Sequence, residues 1–566
     1  MFPKLVTVKT SARTITYLRL IEKYYEEGKK KDRVIANLGR QDIEGRRNLG
    51  KLLKSLRKFT DEVLVTPEEI ESKRVLEYGS VLVIKKLWDE IGLGKWIKEK
   101  CTKKIDGNLG EAGILAMVCN RLLEPRSELG LCEWLEGVYC ESFDKRFREG
   151  KIKSRAESFY RTLDWLIEGK AKIEEEIYQW VRTLFPVDVV FYDITNIQFE
   201  GEGPQIARRG YAKLGKRNHK QVLLGLIMVE GLPVAHYVFR GNRGEKTTIK
   251  WISKDVKRKF NVGRIIFVMD RGMISTMNLE EIEKQDNGYI AGMKRRRNNE
   301  TKELIETGES GFEEIKEGLL AKEVEMDGDG KRRIICINPD RAKEDKEKRE
   351  LIMQELEGEL IALKEKIDTG KIRKQKVIVA SCEKILNKKH GKRYFNYEVG
   401  KGKFEFYRNE KNIEYEEKLD GKFMIKSTEK TFSLKEIVMG YKDLMNVEKM
   451  FRDLKDFIEV APVYHQANRR VRAHIFVCVL ALLIQKYIEK KLANARMKIS
   501  AQKVLSKLKT IKVVINQVGE LNLKYVIPPA QELSRILRVF DIQKLPRILS
   551  DISKETASFA LQKAQK

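Results

Sequence analysis

FPVDVVFYDITNIQF, residues 185–199, decides how the rest of this 566-residue chain is read. Val187, Val189, Val190, Phe191, Tyr192 and Ile194 are β-branched or aromatic and nearly unbroken, the pattern of a strand covered on both faces. Asp193 interrupts that run with no neighbouring Lys or Arg. An ionised carboxylate in such surroundings needs a partner, because burying an unpaired charge is costly. A bound hard cation is one such partner, and turn or cap hydrogen bonds at the strand's end are another. Working outward, 221–228 and 234–239 read as strands joined by the tight turn VEGLP, and 247–259 is amphipathic. Residues 264–269 form a second buried strand, ending at Asp270. Ser275 then caps a helix, and 288–293 makes a further short strand. Ligand sites in open α/β sheets gather at the carboxyl ends of strands, so Asp193 and Asp270 are expected within reach of each other if their strands pair.

Lys and Arg number 113 against 84 Asp and Glu, a net charge of +29 that points to a polyanionic partner, nucleic acid before an acidic membrane surface. The longest uncharged apolar run, 473–485, falls short of the roughly 20 residues a membrane span needs, so no crossing is expected. The opening MFPKLVTVKTSART lacks the apolar core of a secretory signal. Seven scattered cysteines form no C-x-x-C pair, so reduced thiols in a cytoplasm are expected rather than disulfides or a zinc site.

A chain this long divides into several domains. Residues 1–75 read as a small basic module, with 14–20 and 31–38 flanking the turn-like EEGKKK as a hairpin and a helical pattern over 42–58. Residues 76–184 repeat apolar side chains at three and four, as at Phe159, Leu163 and Leu166, and are predicted helical. The α/β pattern occupies 185–293. Across 294–417 a long charged helix, 340–367, carries an apolar seam at Ile352, Leu356, Leu360, Leu363 and Ile367. Within the same region 376–380, 394–398 and 403–407 alternate like antiparallel strands, so the whole reads as a β-rich insertion. Residues 418–490 resume the core, and 491–566 read as short helices around Pro528, Pro529 and Pro546.

Residues 433–455, SLKEIVMGYKDLMNVEKMFRDLK, form a helix opened by a capping box, Ser433 with Glu436. Tyr441, Glu448 and Lys455 are seven apart and Arg452 follows Glu448 by four, so the four share one face. Taken alone, Glu448 reads as the exposed ion-pair partner of Arg452. The wider text, however, resembles the DDE transposases of bacterial and archaeal insertion sequences. The matching stretches are FYDITNIQFEG, RRGYAK with HKQVLLGLIMVEGLPVAHYVFRGN, FVMDRGMIS, DGKFMIKS, and YKDLMNVEKMFRDLKDFIEVAPVYHQANRRVRAHIFVCVLALLI. The last is similar to that family's Tyr-two-Arg-three-Glu-six-Lys signature, with Leu444 standing at its Arg position.

The resemblance implies an α/β multidomain fold: an RNase H-like catalytic core interrupted by a β-rich insertion, with helical N-terminal and C-terminal regions. Asp193 and Asp270 are 77 residues apart and Asp270 and Glu448 178 apart, which leaves room for that insertion. Asp193, Asp270 and Glu448 are the implied catalytic and metal-holding residues. Three converging carboxylates suit two Mg2+ or Mn2+ ions about 3.5–4 Å apart, which serve nicking and strand transfer by in-line attack on phosphorus. The implied partners are double-stranded DNA, as terminal inverted repeats and target, and a second copy of the chain in the DNA-bound complex, in the cytoplasm with the nucleoid and without a membrane.

Tyr441, Arg452 and Lys455 are expected near the scissile phosphate. Arg208, Arg209, Lys213, Lys216, Arg217, Lys220, Lys294, Arg295 and Arg296 are expected along more distant backbone, with Arg271, Asn196 and Asn242 as further substrate contacts. Relatives stack a flipped base on a Trp of the insertion. With no Trp after Trp251, Tyr394, Phe395, Tyr397, Phe404 and Phe406 are the aromatic side chains left for that task, strand packing being their other reading. His474 is expected to make a structural hydrogen bond. The alternative functions are a silent transposase-derived DNA-binding protein and an RNase H-like nuclease.

Overall fold

The computed structural model describes residues 1–9, 13–56, 70–101, 107–185, 189–199, 201–210, 219–244, 247–261, 264–296, 298–308, 310–324, 329–400, 403–518 and 521–549. They form two compact units, one built from Met1–Gly79, Gly137–Tyr139 and the chain from Leu508 on, the other from Ser80–Glu136 and Cys140–Lys507.

In the first unit β1 (Phe2–Lys9), β2 (Thr14–Glu26) and β3 (Lys29–Arg40) make an antiparallel meander, followed by α1 (Ile43–Leu56). The β2–β3 turn consists of Glu27 and Gly28, both at positive φ (52° and 74°), the backbone that a two-residue hairpin requires. The expected hairpin is thus longer than its sequence pattern indicated, and β1 joins it. A second sheet pairs β4 (Ile70–Glu77) with strands from the other end of the chain.

The second unit begins with helices: α2 (Gly79–Ile91), α3 (Leu93–Lys100), α4 (Gly107–Leu123), α5 (Glu128–Trp134) and the 33-residue α6 (Ile152–Leu184). A large mixed sheet follows. Its first strands are β5 (Val189–Gln198), β6 (Gln221–Val229) and β7 (Leu232–Arg240); after α7 (Ile249–Phe260) come β8 (Ile266–Met269), α8 (Thr276–Glu283) and β9 (Gly288–Gly292). β6 runs antiparallel to β5 and β7, whereas β5, β8 and β9 are mutually parallel. The parallel centre is buried on both faces, which is why its strands read as continuous apolar runs.

The insertion differs from the β-rich expectation. After α9 (Asn299–Glu306), β10 (Glu313–Lys316), β11 (Leu319–Val324) and β12 (Arg332–Ile337) extend the main sheet rather than forming a separate one. The rest is chiefly helical: α10 (Pro339–Asp368), α11 (Gln375–Asn387), the hairpin β13 (Phe395–Gly400) with β14 (Lys403–Arg408), and α12 (Glu410–Lys418). Residues 376–380, expected as a strand, belong to α11. Their β-branched run gave way because Ile378, Cys382 and Leu386, four apart, pack on the α10 seam of Leu356, Leu360, Leu363 and Ile367. Tyr394, Phe395 and Phe404 are core residues of this body, and Tyr397 and Phe406 pack against it.

β15 (Lys422–Ser427) then enters between β12 and β9, completing the nine-stranded order β10-β11-β12-β15-β9-β8-β5-β6-β7. α13 (Leu434–Asp456), with its capping box formed, packs on this sheet, and α14 (Asn468–Asn494) and α15 (Ala501–Leu508) follow. By length and composition α14 could cross a membrane, contrary to the reading of its uncharged run alone, but 89% of its most apolar stretch is buried inside the protein. In the first unit again, β16 (Lys512–Val518) pairs with both β4 and β17 (Leu521–Val526), before α16 (Gln531–Val539). The C-terminal stretch read as short helices therefore holds a hairpin, whose KVVINQV and LNLKYV segments complete the sheet begun by β4.

Candidate active site

The register between β5 and β8 positions the first two acids. Val189 pairs with Ile266 and Phe191 with Val268, so two residues further on Asp193 comes level with Asp270 on the adjacent parallel strand. Neighbouring strands lie about 4.8 Å apart, and both residues are half-buried. Asp193 accepts the backbone N–H of Ile194 at 2.7 Å, the local hydrogen bond that a strand-end Asp allows.

α13 brings the third acid. Near its start, Tyr441 lies over β9 at Gly292, where a Cβ would come within 2.0 Å of the tyrosine hydroxyl. A glycine is required at that crossing. Near its end, Lys455 donates to Thr195 Oγ1 at 2.7 Å, two residues along β5 from Asp193. Glu448 lies midway, seven residues from each. In the strand order β9-β8-β5, the midpoint of the crossing falls over β8, the strand that ends at Asp270. Asp270 and Glu448 line one cavity of about 350 Å³ together with Tyr441 and Leu444. Burial raises the Tyr441 pKa, and the nearby charge of Asp270 raises it further. Glu448 itself is exposed, and among the described residues no ion pair joins it to Arg452, which is also exposed.

Basic side chains ring this cavity. Arg271 was anticipated; Arg341, Lys422 and Lys442 were not. Lys422 lies in the DGKFMIKS text that carried the resemblance, and Lys442 is next to Tyr441, so both had a sequence signal. Arg341, in the first turn of α10, had none. Arg295, expected along DNA backbone, also lines the cavity and is held by Asp345 at 3.3 Å and the Leu419 carbonyl, and Arg296 by the Glu416 carboxylate. Lys294, Arg208 and Arg209 are exposed, and Lys220 pairs with Glu202. Lys213, Lys216 and Arg217 lie outside the described residues. Asn196 is buried and donates to Gln221 Oε1 at 3.0 Å, an internal tie between β5 and β6 rather than a substrate contact, and Asn242 lies at the β7 edge of the sheet. His474 is buried with Nε2 3.2 Å from the Val460 carbonyl, the structural bond expected of it.

Comparison with known proteins gives a family match to the N-terminal part of the chain. No curated protein matches the chain in sequence. Among solved structures, the piggyBac transposase synaptic complex with hairpin DNA matches at 10% identity over 76% of this chain and 79% of that one. Its TM-score of 0.32 is too low to carry an argument. Residues 4–69 match the family described as IS1634 family transposase, N-terminal domain. That match covers the N-terminal part of the chain alone, which is therefore similar to the N-terminal domain of insertion-sequence transposases.

Proposed function

We propose that this chain is a transposase of the insertion-sequence type that cuts and joins DNA at the site formed by Asp193, Asp270 and Glu448, on an RNase H-like core. The observation that carries the reading is the β5–β8 register, which sets two strand-end acids side by side beneath the helix that supplies the third. The order β7-β6-β5-β8-β9, three antiparallel strands followed by two parallel to the first, supports the RNase H-like assignment. The three acids offer only oxygen donors, and no basic side chain among the described residues is ion-paired to Asp270 or Glu448, so the set suits Mg2+ or Mn2+. When bound there, two such ions supply the charge that activates a water or a DNA 3′-hydroxyl and stabilises the departing 3′-oxygen.

The remaining roles belong to the chain's own residues. Tyr441 lines the cavity beside Asp270, where its hydroxyl can orient the carboxylate. Lys455, steadied by Thr195, and Arg452 on the next exposed turn are placed to meet the phosphate beside the scissile bond. Arg271, Arg341, Lys422 and Lys442 form the basic wall against which the flanking strand lies. The substrates are the element's terminal inverted repeats and a target duplex, handled by a homodimer in the cytoplasm. Purified protein with Mg2+ is expected to release 3′-hydroxyl ends at a terminal repeat and not on random DNA. Equal cleavage of both would favour a nuclease, and binding without cleavage a silent descendant.

A further inference from the structure

A second cavity, of about 950 Å³, lies at the open edge of the main sheet, where β7 meets α6, α7 and the start of α14. It is separate from the acid site. Asp193 pairs with Leu226, which pairs with His236, so His236 stands level with Asp193 but two strands away, roughly 10 Å. The volume is at the upper end of the range usual for small-molecule sites.

Part of its lining has a structural task. An edge strand exposes unpaired backbone groups, and three side chains cover them here: Lys170 donates to the His236 carbonyl at 2.8 Å, Glu174 accepts the His236 N–H at 2.9 Å, and Arg472 donates to the Val238 carbonyl at 2.7 Å. Edge protection leaves two features unexplained. The cavity is lined by seven Lys or Arg and only two acidic residues. Arg472 is half-buried, and among the described residues no carboxylate pairs with it, so most of its donors remain for an anion.

The third requirement is a flat surface, and Trp251 supplies it. Its indole is 48% exposed at the cavity wall and is held edge-on by Tyr237 and Phe239, at 5.2 and 6.1 Å between ring centroids. The faces of those two rings are already occupied, Tyr237 by Lys259 at 4.8 Å and Phe239 by Arg243 at 5.0 Å, so the indole is the aromatic surface left open. Arg240, Arg243 and Arg472, with which no carboxylate pairs among the described residues, and one open aromatic face together match a ligand that has a phosphate and a planar ring.

We propose that this edge cavity binds a single nucleotide unit, its phosphate on Arg472 with Arg240 or Arg243 and its base against Trp251. The unit is either a free nucleotide or one residue of a DNA strand, and the proposal does not depend on the chemistry assigned to Asp193, Asp270 and Glu448. Calorimetric titration of the full chain with 2′-deoxyadenosine 5′-monophosphate tests it. One-to-one binding is expected, about tenfold or more tighter than that of inorganic phosphate, and weakened about tenfold by Trp251→Ala and by Arg472→Gln. The exposed Arg243→Gln variant gives a second reading if Arg472→Gln loosens the sheet edge, which the melting temperature reports. Binding should persist in Glu448→Gln, so failure of the cleavage mechanism leaves this result interpretable. A single-stranded hexamer that binds better than the mononucleotide, and loses that advantage in Trp251→Ala, identifies a DNA strand as the source; the reverse preference identifies a free nucleotide. Absence of saturable binding by both probes, or binding unchanged in all three cavity variants, overturns the proposal.

Discussion

Two carboxylates in the second unit, Glu174 and Glu448, are treated in opposite ways. Glu174 on α6 is 1% exposed and saturated: Lys170 lies at 2.6 Å, Lys259 at 2.9 Å, and the His236 N–H at 2.9 Å. Burial alone would raise its pKa, but the two lysines and the imidazole hold it well below the usual carboxylate range. Glu448 on α13 is exposed, has no ion pair among the described residues, and opens onto a cavity shared with Asp270. The difference separates a charge kept for structure from a charge kept for a ligand. A buried carboxylate survives only if its neighbours satisfy it, whereas one meant to hold a cation must stay unsatisfied by the protein.

The comparison is broken most decisively at Glu448. Glu448→Gln keeps size and helix but removes the charge, and should lower nicking and strand transfer on the order of a thousandfold while leaving DNA binding and the melting temperature nearly unchanged. A variant that still nicks at close to the native rate would make Glu448 an ordinary surface residue. Next in size, Glu174→Ala should destabilise the second unit by about 3–5 kcal/mol, because two lysines lose their buried partner. Denaturant unfolding measures this, and cleavage per folded molecule should be preserved at low temperature.

Lys455→Ala should slow both chemical steps about ten- to hundredfold without abolishing them, since it misplaces a phosphate but removes no carboxylate; single-turnover cleavage distinguishes the two effects. The smallest effect concerns pH. Burial, with the nearby charge of Lys170, lowers the His236 pKa to about 4 despite the Glu174 contact. The unfolded chain then takes up a proton near pH 6.5 that the folded chain refuses. Stability contributed by the neutral imidazole is therefore present above pH 6.5 and lost as pH falls toward 4. Melting temperatures measured across that window should decline less steeply in His236→Gln.

How much of this was legible beforehand depends on the range of the interactions concerned. The strands carrying Asp193 and Asp270 were readable because a strand buried on both faces needs a continuous apolar run, and a lone Asp in such a run stands out. α13 announced itself through Ser433 and Glu436, whose reciprocal hydrogen bonds are local. The α10 seam was equally plain from its three-and-four spacing. What failed was decided by partners distant in sequence. Residues 376–380 carry β-branched side chains yet coil into α11, because α10 offers a seam that only a helical spacing can meet. The ion pairs of Arg295 with Asp345 and of Arg296 with Glu416 likewise join residues 50 and 120 apart and leave no local signal.

Residue types, local periodicity and caps thus determined on their own which segments are strands or helices in the core, that Asp193 and Asp270 stand out at strand ends, and that the chain is basic; Glu448 stood out only through the resemblance. Tertiary structure alone decided that Asp193 and Asp270 are level, that α13 crosses from Gly292 to Thr195 with Glu448 midway, and that β10–β12 widen the sheet instead of leaving it. Hydrogen-bond register and helix crossing depend on groups tens to hundreds of residues apart, and no local pattern records which of many compatible partners a segment meets.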